Sequence, residues 1–155
     1  MKMMIREAGF PDDRKVVAEL FREYAEGLDF DLGFQAFEDE IRNLPDAYVA
    51  PGGVVLLGET EGAAVGCVAL RPLERGVCEM KRLFVRPNRR GGGAGRSLGS
   101  AIIAAARKGG YEWMRLDTVK EMTAANALYR SLGFRECAAY CHNPLPHPCF
   151  YELRL

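Results

Sequence analysis

Residues 89–103 read RRGGGAGRSLGSAII, with five glycines and three arginines in fifteen positions. Glycine is the poorest common residue for ordering a backbone. A run of it directly before an apolar, helix-patterned stretch therefore points to a turn that needs bare amides. A helix N-terminus presents unpaired N–H groups and a partial positive charge. Phosphate oxygens fit there without side-chain help. Arg89 and Arg90 add charge-assisted donors just ahead of the turn. The chemistry predicted for Arg90, Gly91, Gly92, Gly93, Ala94, Gly95 and Arg96 is the cradling of a phosphate-bearing cofactor.

Three phosphate motifs compete for these residues. A P-loop needs a Lys-Ser/Thr pair after its last glycine, and none follows. A G-x-G-x-x-G fingerprint started at Gly91 or Gly93 meets Arg96 or Leu98 at its sixth position and fails. Asp117 has the spacing of that fingerprint's acidic partner, which is not enough alone. The pattern R-x-x-G-x-G/A is met by Arg90–Gly95.

A second cluster, CHNPLPHPC at 141–149, places Cys141, His142, His147 and Cys149 within nine residues. Structural zinc sites use ligand pairs across a longer loop. Cys141 and His142 are adjacent and would point to opposite faces of a strand. No metal is expected. The segment reads as a proline-rich connection that lines a substrate pocket, with Tyr140, Asn143 and His147 as contacts.

The chain that must position these groups has 155 residues, enough for a single domain spanning 1–155. Lys plus Arg number 21 and Asp plus Glu 21, so the net charge is zero. That balance argues against nucleic-acid binding, which needs a basic excess. The longest apolar run, 101–106, is far short of a membrane span. The N-terminus carries a charge every few residues and no apolar core, unlike a targeting segment. Five cysteines in no scaffold-like spacing read as reduced thiols of a cytoplasmic protein.

Periodicity sets out the elements. Residues 3–8 read as a strand. PDDRKVVAELFREYAEGL reads as a helix with Val16, Val17, Leu20, Phe21 and Tyr24 on one face. FQAFEDEIRNL is a shorter helix, and Phe30, Phe34 and Phe37 belong to the core or a cleft wall. GVVLLGE, GAAVGCVALRPL and GVCEMKRLFV form a strand meander. The last has imperfect alternation, which predicts a local irregularity, and its Glu79, Lys81 and Arg82 read as solvent-facing. A helix follows from about Gly92 to Lys108, then strand YEWMRLDTV. A helix TAANALYRSLGF has Thr123 as N-cap and Gly133 as stop. FRECAAY and PCFYELRL are the last strands. The fold class expected is α+β: a mixed, mostly antiparallel seven-stranded sheet with helices on both faces, three layers α/β/α.

With these elements in place, EMKRLFVRPNRRGGGAGRSLGSAII, YEWMRLDT and NALYRSLGF together resemble the GNAT superfamily of acyl-CoA N-acyltransferases. The resemblance covers nearly the whole chain. It implies transfer of acetyl from acetyl-CoA directly to a primary amine of a small molecule or peptide. The alternative is an acyl-CoA-binding sensor without turnover. By resemblance, the amides of Gly91, Gly93, Gly95 and Arg96 hold the pyrophosphate. The backbone of Leu83, Phe84 and Val85 pairs with the pantetheine arm where the fourth and fifth strands part. Asn126 bonds that arm. Tyr129 protonates the departing thiolate, since a phenol titrates near 10 and a thiol near 8.5. Glu79 takes the amine's proton, with Glu40, Glu112 and Asp117 as weaker candidates. Dimers are common in the resembling family, so a homodimer is compatible.

Overall fold

The computed structural model describes residues 2–33 and 36–155. In chain order the elements are β1 (Met4–Glu7), α1 (Arg14–Glu26), α2 (Phe37–Arg42), β2 (Val54–Thr60), β3 (Ala63–Glu74), β4 (Val77–Val85), α3 (Ala94–Lys108), β5 (Trp113–Val119), α4 (Thr123–Ser131), β6 (Arg135–Glu136) and β7 (Pro148–Arg154). They make one seven-stranded sheet in the order β1-β2-β3-β4-β5-β7-β6. Every pairing is antiparallel except β4 with β5. The expected fold class holds.

The helices cover both faces because their apolar stripes need a sheet to bury against. Val17, Leu20 and Phe21 of α1 and Phe37 and Ile41 of α2 pack on Val55, Leu57, Cys67, Ala69 and Phe84. On the other face Leu98, Ile102, Ile103 and Ala106 of α3 pack on Val68, Leu70, Met80, Met114, Leu116 and Tyr151. Each fully buried aliphatic side chain contributes about 1.5–3 kcal/mol. One contact sets the spacing of α3 from the end of α4: a Cβ at Gly99 would lie 2.7 Å from the Leu132 side chain.

Four expectations need correction. The α3 helix starts at Ala94, not Gly92, because Gly91 (φ +90) and Gly93 (φ +83) are left-handed. Thr123 is the first helical residue of α4, and the cap position is Met122 with no side-chain cap bond. The strand expected at 134–140 is regular only at Arg135 and Glu136; the Cys137 amide still donates to the Phe150 carbonyl at 2.8 Å, after which the ladder ends. The shorter helix is confined to Phe37–Arg42, and Phe34 lies outside the described residues.

The expected irregularity of β4 is real. Its pairing with β3 slips between Cys67–Phe84 and Ala69–Lys81. Arg82 and Leu83 therefore share one partner position, a β-bulge. Arg82 sits at φ +60, a conformation that costs a non-glycine residue on the order of 1 kcal/mol. Beside the bulge, β4 and β5 part. Their parallel ladder covers only Val77–Glu79 against Trp113–Arg115. Beyond that point β4 stays with β3 and β5 stays with β7, so a wedge opens between them. Arg86 ties α1 to the end of β4 through both Glu23 oxygens, at 3.0 and 2.8 Å.

Candidate active site

A cleft of about 650 Å³ fills the wedge. One wall is the turn from Arg90 and the start of α3; another is α4; a third is the end of α1 with Leu28, Phe30 and Leu32. Gly91 and Gly93 adopt backbone conformations that L side chains rarely take, which is what lets the turn fold back above β4. A Cβ placed at Gly91, Gly92 or Gly93 would meet nothing within 4 Å. The turn before α3 thus borders open space, and a helix N-terminus at such a place is suited to an anion. Arg90 donates from Nε to the Val85 carbonyl at 2.7 Å, and its guanidinium lies 5.6 Å from the centre of the Phe84 ring. It fastens the turn to β4 while lining the cleft. Arg96 is exposed and also lines it. Arg90, Gly91, Gly93, Ala94, Gly95 and Arg96 all border the cleft, and Gly92 is exposed between them.

Leu83, Phe84 and Val85 line the same space from β4. Tyr129 faces them from α4. Its ring is held at 6.0 Å from both Phe134 and Tyr151. Burial pushes the Tyr129 hydroxyl well above the usual phenol range, so it stays protonated near neutral pH. Asn126 does not line the cleft. It is buried, and its Nδ2 donates to the Val119 and Lys120 carbonyls at 3.0 and 3.4 Å. It closes the end of β5, and its Oδ1 is a buried acceptor without a hydrogen-bond partner.

The largest departure from expectation is the charge inside the molecule. Glu79, Lys81 and Arg82 are 2%, 8% and 3% exposed, so β4 is buried on both faces. Buried charge persists where it is paired. Arg82 makes two hydrogen bonds at 2.9 Å to Glu40, which also accepts from the Tyr48 hydroxyl at 3.0 Å. The Arg82 guanidinium also lies near the Tyr24 and Phe37 rings, at 5.7 and 5.2 Å. This network fixes the bulge against α2. Glu79 accepts from Arg71 Nε at 2.8 Å and from the Tyr140 hydroxyl at 2.6 Å. It does not line the cleft. Burial pulls the ammonium of Lys81 below the usual lysine range, and neighbouring Arg82 adds to the effect.

Asp117 on β5 does line the cleft. It accepts from Asn143 Nδ2 at 3.1 Å and from the Cys141 thiol at 3.7 Å. Carboxylate oxygens of Glu79 and Asp117 and the Cys141 sulfur all lie within 4.8 Å of one another. Both Glu79 oxygens already accept hydrogen bonds, so this trio forms a polar network rather than a prepared metal shell. Burial pushes the thiols of Cys78 and Cys141 up to about 12, which keeps them protonated and poorly nucleophilic. Of the segment expected to line a pocket, Asn143 does, Tyr140 reaches Glu79, and His147 is exposed away from it. Sequence reading missed Arg71 and gave Lys81 no specific role. The two-residue spacing of Glu79 and Lys81 was the available signal, since it puts both on one strand face.

Comparison with known proteins matches residues 15–134 to the acetyltransferase (GNAT) family. An uncharacterized N-acetyltransferase of Schizosaccharomyces pombe is 40% identical over 147 residues, covering 94% of this chain and 90% of its own. The human N-acetylaspartate synthetase is 32% identical over 113 residues, 72% of this chain and 37% of that longer protein. Among solved structures, an N-acetyltransferase of Thermoplasma acidophilum in complex with coenzyme A superposes with a TM-score of 0.76 at 14% identity, covering 100% of both chains.

Proposed function

The chain belongs to the acetyltransferase (GNAT) family, and on that premise we propose that it moves acetyl from acetyl-CoA directly to a primary amine of a small molecule or peptide. The observation that carries this reading is the open turn at residues 91–93, running into the start of α3, over a cleft that reaches Tyr129. The amides of Gly91, Gly93, Gly95 and Arg96 hold the diphosphate. The freed main chain of Leu83, Phe84 and Val85 pairs with the pantetheine arm. An amide at the bulge polarises the acyl carbonyl. The coenzyme A seen in the Thermoplasma protein supports the same occupant here.

The acceptor arrives as an ammonium and must lose one proton. Glu79 is the proton acceptor in this reading, reached through the polar network it shares with Asp117. The neutral nitrogen then attacks the acyl carbon, the N–C bond forms and the C–S bond breaks. Tyr129 gives its proton to the departing sulfur and regains one from the nitrogen that attacked. The products are an amide, a free thiol and one proton. Holding both partners in the wedge makes the attack effectively intramolecular. The protonated thiols of Cys78 and Cys141 fit a route without a covalent enzyme intermediate.

The test is release of free coenzyme A thiol from acetyl-CoA with a panel of primary amines, with the N-acetyl product identified by mass. Turnover with at least one amine is expected. Tight acetyl-CoA binding with no turnover on any amine would instead make the chain a sensor.

A further inference from the structure

Among the described non-glycine residues with a positive φ, Ala36, Asp46, Glu61 and His147 lie in turns or connections, and only Arg82 lies in a strand. Strain of this kind persists where the surroundings over-determine it, and bulges beside active sites re-aim the groups they carry. Arg82 sits in such a place. With Leu83, Asp117 and Tyr129 it borders a recess of about 30 Å³ between β4 and β5. Those three companions also line the large cleft, so the recess adjoins its inner end.

Residue 82 is fastened at both its side chain and its main chain. The guanidinium is buried and meets Glu40 as a fork, with Nε on one carboxylate oxygen and Nη2 on the other, both at 2.9 Å. The Tyr48 hydroxyl donates to the same carboxylate at 3.0 Å. The Arg82 carbonyl accepts from the Cys67 thiol at 3.3 Å. A planar fork on a carboxylate admits one orientation. Turning φ away from +60 would swing the Arg82 Cβ and pull the fork off its partner. A glycine would take this φ without strain, and an apolar pair would fill the space without buried charge. Neither would hold the bulge in a single orientation. Glu40 itself is buried, lines neither the cleft nor the recess, and has both oxygens on Arg82. It is therefore badly placed to take a proton from the acceptor and well placed to act through Arg82.

We propose that Glu40 is a positioning residue for acyl transfer: through its forked pair with Arg82 it holds the β4 bulge so that the Leu83 amide points at the acyl carbonyl. This rests on the acetyl-transfer reading above and names the device that aims its carbonyl contact. Leu83 follows the strained residue directly, so the direction of its amide is set by the backbone of Arg82. The aim is thus governed from α2, on the face of the sheet opposite α3.

The experiment uses Glu40→Gln, which keeps the shape and an acceptor for Tyr48 but weakens the fork. Removing an oxyanion donor outright costs about 10²- to 10³-fold in kcat, so a misaimed one should cost about 10- to 100-fold. Acetyl-CoA affinity, read by calorimetry, should stay within about threefold, as for an interaction made in the transition state. The second readout is the infrared carbonyl stretch of bound acetyl-CoA labelled with carbon-13 at the acyl carbon. In the wild type it should lie below that of the free thioester in water, and in Glu40→Gln it should move back toward it. A fall in kcat with the carbonyl band unmoved would make Glu40 a purely structural residue and overturn the proposal. An unchanged kcat would overturn it too. A wild-type band no lower than that of the free thioester would overturn it while leaving acetyl transfer standing. No turnover on any amine would sink the acetyl-transfer reading and this one with it. Should Glu40→Gln fail to fold, the double variant Glu40→Gln/Arg82→Gly carries no buried lone charge and accepts the left-handed φ. It should show the same loss of kcat and of band displacement, and wild-type values in it would overturn the proposal.

Discussion

On one side of the cleft the lining comes from a single short stretch, Arg90 to Arg96, where the glycine turn enters α3. On the acceptor side Asp117 lines the cleft, and behind it lies a buried network of charged and polar side chains from β3, β4, α2 and the segment after β6: Arg71, Glu79, Lys81, Glu40 and Tyr140. The first arrangement needs only a turn of the right shape, and solvent already surrounds it. The second needs charges to be desolvated and paired, so it depends on the whole sheet being in register. The donor half is therefore cheap in stability and demanding in backbone conformation. The acceptor half is the reverse.

That contrast can be broken from either end. The largest effect should come from Glu40→Ala, which leaves Arg82 buried without its carboxylate. Removing one partner of a buried ion pair costs about 3–5 kcal/mol. Chemical denaturation should report a loss of that order, and a loss under about 1 kcal/mol would mean the acceptor side is not held by its charges. Next is Gly92→Val. Position 92 lacks the left-handed φ of its neighbours and has open space around it, so the fold should keep its melting temperature. Coenzyme A affinity, read by calorimetry, should fall by about 100-fold if the amides are the cradle. Gly93→Val should lose the same affinity and also some stability, about 1–2 kcal/mol, because φ +83 is strained for valine. Retained affinity in both variants would dismiss the turn.

Tyr129 stands where the two halves meet. Tyr129→Phe should lower kcat by about 10- to 100-fold with little change in acetyl-CoA affinity, as expected for a lost proton donor. Equal losses in kcat and affinity would make it a packing residue. The smallest effect belongs to neither half. Arg6 holds the Asp13 carboxyl down at about 2, with the Gly9 amide helping. A depressed carboxyl contributes stability above its unfolded value near 3.8 and loses it as pH falls toward 2. Asp13→Asn should flatten the stability curve across that window by less than about 1 kcal/mol, since the pair is partly exposed. Turnover at neutral pH should not change.

The same contrast explains what could be read from the chain. Arg90–Gly95 is contiguous, and a backbone feature leaves a contiguous trace, so the glycine turn and the α3 stripe of Leu98, Ile102 and Ile103 were legible. The bulge in β4 showed as broken alternation. On the acceptor side Asp117 and Tyr140 were singled out one by one, but Arg71 was missed and the network joining them was not legible, because its members are far apart in sequence and meet only after folding. Glu79, Lys81 and Arg82 read as solvated because charge ordinarily is; their burial depends on Glu40, Arg71 and Tyr140, none of which is a sequence neighbour. Asn126 drew attention through its setting near Tyr129, yet its amide serves the end of β5.

Gly99 has one further consequence. With only a hydrogen on Gly99 facing Leu132, α3 and the end of α4 lie in direct contact. In the proposed reading, one of them begins at the amides that take the diphosphate, and the other carries the hydroxyl that meets the sulfur. The gap between those two stations works as a caliper. A donor whose arm is longer or shorter than pantetheine would be rejected by a contact it never touches.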